Sequence, residues 1–237
     1  MARRNGGVPT LVLAAALAVA VLGLVVFAVI SSKTDTNASP ASAAPAAKPS
    51  LGPLGELAHR KPGDPLALGK PDAPVSMVIF SDYRCPFCAK FSKDTERTLA
   101  TRYVDTGKLR IEWRDFPIFG DQSMQAAIAG RAAALQGKFW EFNHALYDAA
   151  PEKGHPDLPP DRLLEFARTA GVPDLARFQQ DSASPQLAQE VRTDLAEASA
   201  LGVSSTPAFS VNGYPVLGAQ PTELFEQQID RALAGAS

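Results

Sequence analysis

Cysteine and histidine are scarce in this chain of 237 residues, which has two cysteines, Cys85 and Cys88, and three histidines. A zinc site usually takes four Cys or His ligands, and His59 is remote in sequence from the other two histidines. A metal site is therefore a weak hypothesis. Basic charge is not in excess either, because the formal net charge is −2. A nucleic-acid surface needs a basic patch, so we expect no nucleic-acid partner.

One long apolar run lies near the amino terminus. Arg3 and Arg4 precede the uncharged residues 8–30, and roughly 20 apolar residues are enough to cross a membrane as a helix. A cleavable signal peptide has a shorter apolar region of roughly 7–15 residues. We therefore expect a single-pass anchor in the cell membrane, with the rest of the chain extracytoplasmic and the two arginines inside. An Ala-x-Ala pattern at 41–43 leaves a cleaved signal, and a secreted or periplasmic protein, as the alternative.

The segment that follows has a different composition. Residues 31–65 are rich in Ala, Pro and Ser, and such a segment is typical of a linker that buries no hydrophobic core. The rest of the chain is large enough for one domain with an insertion. We predict an anchor or signal at 1–30, a linker at 31–65 and a domain at 66–237.

The domain begins with a pattern of strand, helix and strand. The apolar run VSMVIF at 75–80 predicts a buried strand, and LRIEWRDF at 109–116 predicts a second one. Between them, four residues at multiples of four predict one buried helix face. These are Phe87, Phe91, Leu99 and Tyr103. The arrangement is a βαβ unit.

The second half of the domain is helical before it returns to strands. Helical patterns occupy residues from about 120 to 202, and Ser184 followed by Pro185 marks one helix start. Two short strands then flank Asn212-Gly213, which predicts a tight hairpin, and a helix follows at about 222–233. The predicted fold class is α/β, in the order βαβ, helical insertion, ββα.

Both cysteines stand at the predicted start of the first helix. Cys85 takes the cap position and Pro86 the first helical position, where proline is favoured. Backbone N–H groups and the helix dipole stabilise a thiolate there, and Arg84 would add positive charge. Thiol pKa values in Cys-x-x-Cys motifs fall to roughly 3.5–7.5. We expect Cys85 to be the exposed, attacking sulfur and Cys88 the more buried, resolving one.

Two other interpretations of the cysteine pair remain open. A structural disulfide across such a short loop would add little stability, and two thiolates also suit a metal carrier. A second motif, SSTPAF at 204–209, favours the redox interpretation because it places Pro207 at a strand start. A cis peptide bond between Thr206 and Pro207 would explain that position.

Three motifs in this order, FSDYRCPFC, FWEFNHALYD and VSSTPAFSVNG, resemble those of the DsbA-like thiol–disulfide oxidoreductases of the bacterial cell envelope. The resemblance covers about 66–237 and implies a thioredoxin-like fold with a helical insertion between the second strand and the cis-proline strand. It implies that Cys85 is the nucleophile and Cys88 the resolving cysteine. Pro207 matches the cis-proline, Thr206 the residue that pairs with substrate backbone, and Pro86 and Phe87 the dipeptide that tunes the potential.

Two positions depart from the family pattern. Many relatives have histidine before the second cysteine, where this chain has Phe87, so a strongly oxidising potential is not assured. Many thioredoxin-like proteins also have a buried acidic residue six positions before the first cysteine, where this chain has Ile79. Asp82 is nearby in sequence, and we interpret it as a solvated loop aspartate.

The leading functional hypothesis is an oxidase that donates the Cys85–Cys88 disulfide to reduced exported proteins. Disulfides persist outside the cytosol, which agrees with the expected location. The resemblance implies a membrane quinone-linked protein that regenerates the disulfide, and no cofactor besides it. Residues 31–65 are too short for the dimerisation domain that isomerases of this class usually carry, which weighs against an isomerase. We expect a monomer. The alternatives are a thiol reductase or isomerase of the same fold, or a membrane-anchored metal carrier or binding module.

Overall fold

The computed structural model describes residues 51–235. The expected anchor and the first part of the expected linker therefore lie outside the described residues. Across the part that is described, the longest apolar helices fall short of what a membrane crossing requires.

A five-stranded mixed sheet forms the centre of the domain. Its strands are β1 (Ala67–Leu68), β2 (Val75–Ser81), β3 (Leu109–Asp115), β4 (Ala208–Val211) and β5 (Tyr214–Leu217). The order across the sheet is β1-β3-β2-β4-β5. Central β2 runs parallel to β3 and antiparallel to β4, and every residue of β2 and β3 is buried. The predicted strands are confirmed, whereas the two-residue β1 was not predicted.

The helical stretch after β2 is α-helical at both α1 (Pro86–Phe91) and α2 (Arg97–Leu99), with π-helical turns at Ser92–Glu96 and Ala100–Val104. Three of the four residues of the predicted buried face are buried. Phe87 is the exception, with 61% of its surface exposed. Cys88 and Ala89 take the inward positions of the first turn, so Phe87, about 100° round the helix from its neighbour, faces solvent.

The predicted helical insertion is confirmed. It comprises α3 (Asp121–Ala134), α4 (Phe139–Asp148), α5 (Pro160–Thr169), α6 (Leu175–Asp181) and α7 (Pro185–Ala200). Ser184 caps α7 as predicted, because its side chain accepts from the backbone N–H of Leu187. The small side chains of alanine-rich α3 let its neighbours pack closely, and the insertion core is continuous with the two cysteines.

The hairpin and the final helix complete the domain. Asn212 and Gly213 both have positive φ, 45° and 81°, which is the backbone of the tightest hairpin turn and favours this residue pair. A Cβ atom on Gly213 would lie 2.4 Å from the Gly55 carbonyl oxygen, so glycine also permits a close approach there. Helix α8 (Thr222–Ala234) then packs Phe225 and Ile229 on the sheet.

The amino-terminal segment at 51–60, called the strap below, contacts the sheet. The backbone N–H of Gly52 donates to the Asn212 carbonyl at 2.7 Å. The backbone N–H groups of His59 and Arg60 each donate to the Glu112 carboxylate at 2.8 Å. These contacts extend the folded unit to about residue 52, upstream of the boundary expected at 66. The composition of the linker does not reveal them because they use backbone atoms.

Charged side chains are buried under the strap. Glu112 is completely buried and pairs with Arg110 at 2.6 Å and Arg114 at 3.0 Å. Burial opposes ionisation, yet these partners and the two strap N–H groups lower the pKa of Glu112 to about 2. The strap therefore satisfies a buried carboxylate, and it is part of the stabilising structure of the domain.

Candidate active site

The two cysteines lie where β2 leads into α1. Cys85 is the N-cap residue, with extended backbone at φ −81° and ψ 120°, and Pro86 is the first helical residue. Both cysteines are free thiols. Cys88 is 1% exposed, as expected for the inner residue, but Cys85 is only 2% exposed. The expected exposure of Cys85 is wrong because the loop containing Thr206 packs against its sulfur.

The environment of Cys85 favours its thiolate. A hydrogen bond with Cys88 is the largest influence and lowers the pKa of Cys85, burial opposes it, and the Thr206 side chain and the backbone N–H groups of Cys88 and Phe87 lower it further. The pKa reaches about 6. No backbone hydrogen bond to the Cys85 side chain has ordinary length and angle, so the N–H groups act at longer range, through the field of the helix start.

Cys88 has the opposite character. Burial raises its pKa well above the ordinary value, and so does its interaction with Cys85, whereas the Ser81 hydroxyl and the Asp82 backbone act in the other direction. The pair therefore contains one acidic sulfur, Cys85, and one that holds its proton, Cys88. This asymmetry is what sequential attack and resolution need.

The Thr206–Pro207 loop lies directly beside Cys85. The peptide bond between these two residues is cis, as predicted. The Cys85 thiol donates to the Thr206 carbonyl oxygen at 3.3 Å. The Thr206 hydroxyl oxygen is buried and has no hydrogen-bond partner of ordinary geometry, although it lies near enough to favour the thiolate.

Asp82 is buried, and its interpretation as a solvated loop aspartate is wrong. It is 2% exposed, and its carboxylate accepts from the backbone N–H groups of Arg84 at 2.8 Å, Ile118 at 2.7 Å and Phe119 at 3.2 Å. Burial raises its pKa and these hydrogen bonds partly oppose the shift. Asp82 therefore fastens the turn before Cys85 to the loop that precedes α3.

Arg84 holds the insertion instead of facing the thiolate. Its guanidinium donates to the carbonyls of Phe119 at 2.7 Å and Pro156 at 2.9 Å. His155 Nδ1 lies 2.7 Å from the Arg84 carbonyl oxygen, and the His155 ring stacks on Phe119 with centroids 4.2 Å apart. Arg84 is not among the main groups that lower the Cys85 pKa. Its guanidinium instead holds the residues around Phe119 and Pro156 against the turn that precedes Cys85.

Pro86 and Phe87, the predicted tuning dipeptide, stand between the two cysteines in the chain and reach the surface of the domain. Pro86 is half-buried, and Phe87 presents its ring to solvent. A neutral ring at this position adds no charge near Cys85. The acidic position six residues before Cys85 is filled by Ile79, which is packed in the apolar core of the sheet.

Two residues near Cys88 were missed by sequence reasoning. Ser81, the last residue of β2, and Tyr147, in α4, are both buried, and their hydroxyl oxygens lie 2.9 Å apart. Tyr147 shares the buried face of its helix with another polar residue, Asn143, one turn earlier, which is a weak signal in the sequence. The position of the two residues beside Cys88 depends on tertiary packing between the insertion and β2.

Comparisons with known proteins agree with this geometry. The model of the family described as Thioredoxin matches residues 61–231. The chain is 32% identical over 151 residues to the probable disulfide bond formation protein D of Bacillus anthracis, covering 62% of this chain and 69% of that protein. The structure of oxidised BdbD from Bacillus subtilis aligns with a TM-score of 0.68 at 23% identity, over 79% of this chain and 99% of that one, and so shares the fold.

A different class of relative matches as well. The Na(+)/H(+) antiporter NhaA 1 of Mycolicibacterium gilvum (strain PYR-GCK) is 34% identical over 149 residues. The match covers 61% of this chain and 23% of the antiporter, so the chain spans about a quarter of the length of that relative.

Proposed function

Since the chain belongs to the thioredoxin family and is a disulfide oxidoreductase, we propose that it is an extracytoplasmic oxidase that donates the Cys85–Cys88 disulfide to reduced exported proteins. The observation that carries the proposal is the opposite pKa shifts of the two cysteines. A stabilised Cys85 thiolate favours the reduced enzyme, so the disulfide form tends to accept electrons from substrates.

The reaction proceeds in two exchanges. A substrate thiolate attacks the Cys85 sulfur, the Cys85–Cys88 bond breaks, and Cys88 leaves with the electron pair. A second substrate thiolate then attacks the substrate sulfur of the mixed disulfide and releases Cys85 as a thiolate. Two electrons thereby pass from substrate to enzyme. The low pKa of Cys85 makes it a good leaving group in the second exchange.

Thr206 and Pro207 serve as the substrate-facing loop in this proposal. The Thr206 carbonyl already lies 3.3 Å from the Cys85 sulfur, so a substrate cysteine bonded to Cys85 would lie against the same backbone. In this proposal an extended substrate peptide pairs with this backbone segment as an added strand. The proposed catalytic set is therefore Cys85, Cys88, Thr206 and Pro207, with Pro86 and Phe87 as tuning residues.

The location and the partners are further parts of the proposal. The relative from Bacillus anthracis is named for disulfide bond formation, which supports reduced exported proteins as substrates. We place the protein at the cell membrane through residues 8–30 as a monomer, with a membrane quinone-linked protein reoxidising Cys85 and Cys88. The disulfide itself is the redox group in this proposal.

A redox titration against glutathione tests the direction of the reaction. A potential near −120 mV would support an oxidase, and one near −270 mV would support a reductase, the alternative favoured by the neutral Phe87. Oxidation of a reduced model protein by the disulfide form should be measured in parallel, with Cys85→Ser as the inactive control. Absence of oxidation by the wild-type disulfide would overturn the proposal.

A further inference from the structure

A buried tyrosine hydroxyl lies beside the cysteine pair. Tyr147 is 1% exposed and packs its ring against Tyr83 and Trp113. Its hydroxyl oxygen lies 2.9 Å from the Ser81 hydroxyl oxygen, and it donates to the Asp82 carbonyl at 3.1 Å. A buried hydroxyl is costly unless it is hydrogen-bonded, so these two contacts are what makes a tyrosine acceptable in this aromatic cluster.

Ser81 connects this hydroxyl to the inner sulfur. Ser81 is 4% exposed, and its hydroxyl lies near enough to the Cys88 sulfur to lower the pKa of that thiol against the effect of burial; Cys88 and Tyr147 belong to the same buried cluster. Cys88, Ser81 and Tyr147 thus form a continuous buried row that ends at the Asp82 carbonyl. The same carbonyl also accepts from the backbone N–H of Cys85 at 3.0 Å, so it has a second donor.

The direction of the hydrogen bonds follows from the chemistry of each group. A carbonyl only accepts, so Tyr147 uses its one proton on Asp82. Ser81 then donates to the Tyr147 oxygen, while the Cys88 S–H stays directed at the Cys85 sulfur, whose pKa it lowers. If Cys88 loses its proton, both hydroxyls can rotate, so that Ser81 donates to the Cys88 thiolate and Tyr147 donates to Ser81. The Asp82 carbonyl keeps the Cys85 N–H as its donor.

We propose that Ser81 and Tyr147 form a reversible hydrogen-bond switch that stabilises the Cys88 thiolate whenever that sulfur leaves or attacks. The inference rests on the proposed function insofar as that function is thiol–disulfide exchange. In this proposal Ser81 donates directly to the reacting sulfur and is a catalytic residue, whereas Tyr147 acts through Ser81 and is a positioning residue. The switch serves an oxidase and a reductase alike.

Thiol–disulfide exchange brings a negative charge onto the Cys88 sulfur. A substrate thiolate forms a bond to the Cys85 sulfur, the Cys85–Cys88 bond breaks, and the electron pair goes to the Cys88 sulfur, to which Ser81 donates. Cys88 then takes up one proton, which matches the proton that the substrate thiol lost to solvent. In the reverse direction Cys88 gives up that proton and attacks the Cys85 sulfur.

The expected effect of removing a hydroxyl has two opposing parts. Loss of a hydrogen bond to the thiolate should raise the Cys88 pKa by about one unit, which lowers the thiolate fraction about tenfold at pH 7. The more basic thiolate is intrinsically about threefold more reactive. The net attack rate should therefore fall about threefold at pH 7, and the deficit should shrink as the pH approaches the Cys88 pKa.

The test is a stopped-flow reaction of the reduced full-length chain with oxidised glutathione. The concentration-independent phase reports attack of Cys88 on the Cys85–glutathione disulfide, and it should be measured from neutral to strongly alkaline pH. Ser81→Ala and Tyr147→Phe should both be slower at pH 7, and they should become up to about threefold faster than wild type once the pH is high enough to ionise Cys88 in every variant. Ser81→Thr, which keeps the hydroxyl, should restore the wild-type profile.

A matched control is Tyr103→Phe. Tyr103 is also buried, and its hydroxyl donates to Asp230 at 3.0 Å in a separate core cluster, so its loss should leave the profile unchanged. A rate ratio that stays constant at every pH would mean that Cys88 is merely displaced, and it would overturn the switch, as would unchanged rates. If Ser81→Ala fails to fold, Tyr147→Phe decides. Failure of the wild type to oxidise protein substrates would refute the proposed function but leave this pH profile intact.

Discussion

The Cys85 sulfur lies 3.3 Å from the Thr206 carbonyl oxygen, to which its thiol donates. This hydrogen bond exists only while Cys85 carries its proton. In the thiolate the carbonyl dipole would oppose the charge, and the nearby Thr206 hydroxyl, which has no hydrogen-bond partner of ordinary geometry, is free to donate instead. One residue thus presents an acceptor to the thiol and a donor to the thiolate.

Thr206→Val should therefore raise the Cys85 pKa above its value of about 6, because valine keeps the shape and removes the donor. The expected rise is about one pKa unit, the size of one hydrogen bond to a charged group. Thr206→Ser keeps the hydroxyl and serves as the control. Thiolate absorbance against pH gives the Cys85 pKa of both variants. Identical curves for Thr206→Val and wild type would mean that the Thr206 hydroxyl does not stabilise the thiolate.

Substitution of Cys88 separates the contribution of its side chain from that of the helix start. The hydrogen bond with Cys88 is the largest influence lowering the Cys85 pKa. Cys88→Ser retains a donor and should leave Cys85 acidic, whereas Cys88→Ala should raise its pKa towards the free value of about 8.5. A titration of each variant by thiolate absorbance tests this. Equal pKa values in the two variants would contradict the assigned cause.

The reduced protein should gain stability between about pH 6 and pH 9. The folded pKa of Cys85 is depressed from 9.0 to about 6, so its contribution is present above the unfolded pKa and is lost as the pH falls through 6. Relative to Cys85→Ala, unfolding with a reductant present should cost about 3 kcal/mol more at pH 8.5 than at pH 5.5. Above pH 9 the raised pKa of Cys88 acts in the opposite direction. A pH-independent difference in urea unfolding would refute the shift.

The local parts of the fold were predictable from sequence. Strand β2, the cap at Cys85 and the Asn212-Gly213 turn each depend on a few neighbouring residues, and all three were predicted correctly. The burial of Asp82 was not, because its partners Ile118 and Phe119 reach it only after β3 has paired with β2.

The strap and the Ser81–Tyr147 pair show the same limit. Ser81 and Tyr147 are far apart in the chain and meet only because the insertion packs on the end of β2. The strap binds Glu112 through backbone N–H groups, which have no signature in composition. Contacts between residues far apart in the chain were therefore the part of the structure that could not be predicted from the sequence.

The strap should contribute to stability through Glu112. Glu112→Gln should destabilise the domain at pH 7 by about 3–5 kcal/mol, because buried Arg110 loses its carboxylate partner and buried Arg114 loses the nearer of its two. The folded pKa of Glu112 is lowered to about 2, so its contribution is present above about pH 4.5 and is lost as the pH falls towards 2. The penalty in urea unfolding should accordingly be smaller at pH 3.

Truncation tests the same contact from the other side. A chain of 51–237 should keep the stability of the longer one, whereas a chain of 61–237 should be less stable by about 1–3 kcal/mol for each strap donor that Glu112 loses. Equal stability of the two truncated chains would place the strap outside the folded unit.

Phe87 offers a way to shift the potential without disturbing the core, since 61% of its surface is exposed. Phe87→His would place a titratable cation in the first turn of α1, next to the Cys85 thiolate, and should lower the Cys85 pKa by about one unit. The thiolate stabilisation at pH 7 would make the disulfide more oxidising by about 30 mV.

The control is Phe87→Ser, which removes the ring but adds no charge and should leave the potential near the wild-type value. Titration against glutathione at pH 6 and pH 8 measures both variants, and the histidine effect should be larger at pH 6, where the imidazole is protonated. An equal shift in the serine variant would mean that the ring, and not charge, controls the potential.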